Sequence, residues 1–133
     1  MNLDFAFICD YAEVSGKINA LGIGFDTIYA PKVPAKHPLF FLVLQLRASP
    51  AESGEKNLQI SLINDDGKDM MPPLSGKFEM RKLESGLENI HRIAVSIKDV
   101  EFPKYGHYSL RTVVDGTEMN SINIKITPPP TTA

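Results

Sequence analysis

Residues 102–116 read FPKYGHYSLRTVVDG, with Tyr105, His107, Tyr108 and Asp115 inside fifteen positions. Two readings compete for it. In the chemical one, His107 and Asp115 form an acid–base pair with a tyrosine as proton donor, which requires hydrogen-bond contact. Along an extended strand, eight residues separate them by about 26 Å, so they do not touch within one strand. In the structural one, a tyrosine near the start of a late strand turns its hydroxyl back to the backbone at the corner between two strands of a sandwich. Gly106, one residue, Tyr108 and then alternating apolar residues fit that pattern. Tyr108 is therefore expected to be structural and His107 to point to solvent. Asp115-Gly116 is a two-residue hairpin signal. It leads into TEMNSINIKIT (117–127), which buries Ile122, Ile124 and Ile126.

The period of two continues upstream. LDFAFICDY (3–11) places Leu3, Phe5, Phe7, Cys9 and Tyr11 on one face and Asp4, Ala6, Ile8 and Asp10 on the other. INALGIGFDTIY (18–29) alternates likewise, with Gly22 and Gly24 marking a bulge or bend. After the Ser15-Gly16 turn signal, these two segments are expected to form a long bent hairpin. Pro31, Pro34 and Pro38 make residues 30–38 a surface connection. LFFLVLQLRA (39–48), apolar on both faces through Val43, reads as a central strand. NLQISLIND (57–65) turns Leu58, Ile60 and Leu62 to one side, and the following DDGK is a turn. Residues 69–76 read as irregular, KFEMRKL (77–83) is short and half-polar, as an edge strand should be, and IHRIAVSIKDV (90–100) faces Ile93, Val95 and Ile97 inward. No segment keeps a 3.6-residue period. The expected fold is all-β: a single antiparallel β-sandwich of about eight strands over residues 1–127, with a Pro-rich disordered tail at 128–133.

At 133 residues, 43% hydrophobic and 23% charged, the chain suits one globular domain able to bury a core without staples. The net charge is −2 and no Lys/Arg cluster occurs, so a nucleic-acid partner is not expected. The longest apolar run, eight residues at LFFLVLQL, is far short of the roughly 20 that a membrane-spanning helix needs, and no membrane partner is expected. One cysteine, Cys9, and an acidic N-terminal stretch without a basic leader point to a reducing cytoplasm.

Sites of recognisable chemistry are sparse. His37, His91 and His107 are widely spaced and far from Cys9, unlike the paired ligands of zinc sites. NDDGKD (64–69) is rich in oxygen but lacks EF-hand spacing, so a hairpin turn is the better reading. GIG (22–24) lacks the lysine and the following helix of a phosphate loop. Cys9 lies mid-strand, where a thiol packs rather than reacts. No catalytic residue, metal or cofactor is expected. Two features point to binding. Asp10, Tyr11, Asp26 and Tyr29 fall near the ends of the first hairpin and form a candidate interaction patch. Phe41 and Val43 make the back of the 39–48 strand apolar where a sandwich should be wet; either a loop covers that face or another subunit does, which makes it a candidate self-association face.

The stretches LDFAFICDYAEVSGKINALGIGFDTI, HPLFFLVLQLRASPAESGEKNLQISLINDDGK and FPKYGHYSLRTVVDGTEMNSINIKI together resemble a bacterial family of about this length known only as a domain of unknown function. Its most specific parts are DYAEVSGKIN with GFDTI and the FPKYGHYSL…DG block. The resemblance implies an immunoglobulin-like sandwich and brings no catalytic residues. One departure is the more polar LESGLENIHRIAV segment. The expected function is a non-enzymatic binding or assembly module that self-associates as a homodimer or meets an unidentified protein partner. A structural component of a larger, phage-like particle is the second reading. A loop-built carbohydrate-binding or enzymatic site is the third.

Overall fold

The computed structural model describes residues 1–130; the last three residues of the expected tail lie outside the described residues. Ten strands follow in chain order: β1 (Asn2–Cys9), β2 (Tyr11–Val14), β3 (Ile18–Leu21), β4 (Thr27–Tyr29), β5 (Ala35–Ala48), β6 (Gly54–Ile63), β7 (Leu74–Met80), β8 (Asn89–Phe102), β9 (Gly106–Val114) and β10 (Thr117–Thr127). A single 3-10 turn, Pro50–Glu52, joins β5 to β6. The strands form three sheets: β1-β5-β8, β4-β10-β9-β6-β7, and the two-stranded β2-β3.

The all-β reading holds, with corrections at the N-terminal end. Strands β1 and β3/β4 do not form a long hairpin. The chain turns at Asp10, makes a four-residue hairpin (β2–β3), and then sends β4 to the other sheet. There β4 pairs in parallel with β10, Thr27 opposite Lys125, so the fold is not wholly antiparallel. The chain crosses through a turn in which Gly22 and Gly24 both have positive φ. At Gly22 a side chain would collide with the Asp10 carboxylate, so the turn tolerates only glycine there. The two long N-terminal strands expected become four, of eight, four, four and three residues. Further along, β5 begins three residues before Pro38, and β7 begins at Leu74, inside stretches expected to be irregular. Pro38 is tolerated because β1 pairs with β5 only from Phe41 onward, leaving the proline a neighbour on one side.

The two larger sheets bury one core between them. Ile8, Phe40, Leu42, Leu44 and Ile97 from the first meet Ile60, Leu62, Leu110, Ile124 and Ile126 from the second. Each such side chain contributes about 1.5–3 kcal/mol of burial. The alternation expected for residues 57–65, 90–100 and 117–127 points inward as read, with Leu58, Ile93, Val95 and Ile122 packed at the core's margin. In β1 the faces are reversed. A bulge between Leu3 and Phe5 shifts the register against Leu46 and Gln45. Leu3, Ala6 and Ile8 therefore face the main core, and Phe5, Phe7 and Cys9 face outward.

At the other end of the molecule the corner forms as expected. Tyr108, buried at the start of β9, donates its hydroxyl to the Lys104 carbonyl at 2.7 Å and accepts from the Lys104 amide at 3.3 Å. Its ring meets Phe102 edge-on at 4.9 Å. His107, on the opposite face, is exposed beside Asn123. Removing the hydroxyl in Tyr108→Phe is expected to cost about 1 kcal/mol in urea denaturation. No measurable loss would mean that ring packing alone holds the corner. Asp115 (φ 48°) and Gly116 (φ 82°) make the two-residue β9–β10 turn.

Candidate functional site

The outward face of β1 and β5 carries more apolar surface than a wet sheet should. The β2–β3 hairpin folds back over half of it. Cys9, Ala12 and Val43 form a second small core beneath the hairpin, flanked by Phe7, Ile18, Ala20, Phe41 and Ala94. The other half of the same face is polar. Arg47 grips Asp4 through two nitrogens at 3.2 and 3.0 Å, and Gln45 donates to the same carboxylate at 2.9 Å. These bonds, Arg47's first, hold the Asp4 carboxyl below its usual range. Arg92 continues the network to Gln45 and reaches the Gly16 carbonyl at the hairpin tip.

Where the hairpin meets β1, a groove of about 680 Å³ runs along β3. Phe5 and Phe7 form one wall, with rings stacked at 5.9 Å and 16°. Tyr11, Ile18, Asn19, Ala20, Leu21 and Ile23 form the other side, and Glu13 is the only charged residue in the lining. Its apolar groups are not covered: Leu21 is 68% exposed, Ile23 59%, Tyr11 47% and Phe5 38%. Beyond Ile23 lies a second depression, which Asp10, Gly22, Phe25, Tyr29 and His37 share.

The residues singled out from sequence divide between these places. Asp10 and Tyr29 line the second depression, while Tyr11 lines the groove. Asp26 stands apart before β4, accepting from the Thr27 hydroxyl at 2.9 Å, with its carbonyl on the Lys125 amide. The four are thus not one patch: Asp10 and Tyr29 meet in the depression, while Tyr11 and Asp26 lie outside it. Val43 is fully buried under the hairpin and offers nothing to a second subunit; Phe41 is half-buried with Tyr11 edge-on at 5.3 Å. The chain itself covers the face that was expected to self-associate. The exposed apolar tip, Leu21 and Ile23, escaped the sequence reading. The available signal was two large aliphatics set among glycines in ALGIG, where a turn cannot bury them.

The titratable groups nearby sit in packing roles. His37 lies between Phe25 and Phe40, and burial lowers its pKa against the opposing pull of Asp10. Burial, with Asp10 adding to it, raises the Cys9 thiol, the opposite of what a nucleophile needs. His91 stacks on Phe78 at 4.8 Å, far along the chain from both. Among the described residues, no three His, Cys, Asp or Glu side chains gather as a metal set. Among the same residues, no helix is long and apolar enough to cross a membrane.

Residues 4–127 match the model of a protein family described as a family of unknown function. None of the curated proteins matches the chain. A solved structure of Pseudomonas fluorescens alkylpurine DNA glycosylase AlkC, bound to DNA containing an abasic site analog, is similar at 11% identity and a TM-score of 0.44. The likeness covers 92% of this chain and 30% of that one, and at this level it carries no argument.

Proposed function

The chain belongs to the family of unknown function DUF6941, and from that premise we propose that it is a non-enzymatic, self-associating binding or assembly module of the cytoplasm, built on an immunoglobulin-like sandwich. The strand order supports the sandwich. With β1, β5 and β8 taken as A, B and E, the neighbours β10, β9, β6 and β7 follow as G, F, C and C′. Tyr108 then stands at the E–F corner, where such domains carry their tyrosine. In that scheme the β2–β3 hairpin is an insertion after the first strand.

Function rests on the site rather than the fold. The observation that carries it is the exposed apolar groove, with Leu21 and Ile23 both more than half exposed beside Phe5 and Tyr11. Contiguous exposed apolar surface of this kind supports a contact with another protein. Light scattering coupled to gel filtration over a wide concentration range tests the reading. The expected result is a mass that rises with concentration, and a Leu21→Asp variant that stays at the single-chain mass. Leu21 is so exposed that the change leaves folding intact. A wild-type protein that is single-chain throughout, or a variant that associates just as well, would overturn the reading.

A further inference from the structure

Strand β10 ends at Thr127, whose carbonyl accepts the Ala30 amide at 2.9 Å. The chain then runs on as Pro128, Pro129 and Pro130, all exposed and in no regular secondary structure. Consecutive prolines have no N–H to give and a fixed φ, so they favour an extended polyproline helix whose carbonyls are all unpaired. Such segments are preordered and bind at little entropic cost. The surfaces that take them are aromatic-lined grooves. The groove along β3 has that chemistry: the stacked Phe5 and Phe7 rings on one side, Tyr11 on the other, and the Tyr11 hydroxyl and Asn19 carboxamide as donors for bare carbonyls.

We propose that Pro128–Pro130 of one copy docks in the aromatic groove of a second copy. This rests on the self-association reading above and names its contact. The chain's own prolines lie exposed and are not part of its groove lining, so the occupant comes from elsewhere. Charge argues against two grooves meeting face to face. Glu13 is the one charged residue of the groove lining, and no cation stands beside it in that lining. A symmetric contact sets like charges together, whereas the proline segment carries none. Tail into groove is a heterologous contact, and it repeats from copy to copy unless a ring closes.

The test uses a fluorescent peptide of residues 125–133 and full-length protein whose three prolines, 128 to 130, are changed to alanine. The expected result is saturable binding, followed by anisotropy, that weakens about tenfold with Tyr11→Ala. It disappears with Leu21→Asp, or with a peptide carrying alanines for the prolines. In light scattering, the protein with alanines at positions 128 to 130 stays at the single-chain mass while wild type grows past a dimer. If wild type associates through Leu21 but the peptide does not bind, the groove reading stands and the tail assignment falls. If the peptide binds while wild type stays single-chain at every concentration, the tail seats in its own groove, and the second-copy assignment is overturned.

Discussion

Phe40→Ala is expected to destabilise the domain by about 3–5 kcal/mol, while Phe41→Ala, one residue along, costs less than half as much. Both lie in β5, the middle strand of the three-stranded sheet, and strand alternation turns Phe40 to the inner face and Phe41 to the back. Phe40 has no exposure and sits opposite Ile97 in the register. Its ring meets Phe25 edge-on at 6.2 Å and lies 5.7 Å from His37, so truncation opens a void that three elements must close. Phe41 faces outward and is only half-buried, with Tyr11 as its main aromatic neighbour. Domains of this size have about 5–15 kcal/mol in total, so Phe40→Ala takes much of the margin. Urea denaturation followed by circular dichroism reads both values. A larger loss at Phe41 would mean that the inner and outer faces of β5 are the reverse of those described.

Val43→Lys is expected to cost more than about 3 kcal/mol and to free the β2–β3 hairpin. Val43 is completely buried, with Cys9 and Ala12 against it and Ile18 and Ala20 of the hairpin packed alongside. Of the carboxylates near that face, Asp4 is already held by Arg47 and Gln45, and Asp10, near enough to Cys9 to raise its thiol, is exposed, so an ammonium reaches an acid only by leaving the buried site. The cheapest escape is for the hairpin to lift and admit water. Trypsin cleavage after Lys17, at the hairpin tip, should then accelerate together with the loss of stability. A variant of unchanged stability and unchanged cleavage, but with self-association abolished, would show that a second subunit rather than the hairpin covers Val43.

The candidate site was legible only in part. Tyr11 was found because an aromatic among carboxylates stands out in the chain, and it does line the groove. Phe5, Leu21 and Ile23 read as buried members of alternating strands, although the glycines around Leu21 and Ile23 in ALGIG signal a turn that cannot bury them. Phe41 and Val43 were correctly seen as surplus apolar surface on the back of β5. Of the two covers such a face can have, a loop or another subunit, Val43 has the β2–β3 hairpin, twenty to thirty residues away in the same chain.

The division between what is local and what is not runs through the whole molecule. By itself the sequence determined the all-β class, the inward faces of β6, β8 and β10, the Asp115-Gly116 turn and the Tyr108 corner. In each of these, one face is apolar and the other polar, or the backbone conformation depends on adjacent residues alone. Tertiary structure decided the orientation of β1, the split of the first hairpin into β2, β3 and β4, and the parallel pairing of β4 with β10. The reason is that β1 carries its largest apolar side chains, Phe5 and Phe7, on the face that turns outward, so alternation alone points it the wrong way. The outcome is decided by the one-residue bulge after Leu3 and by where the glycine turn at 22–24 sends the chain, and both are settled only when the sheets pack.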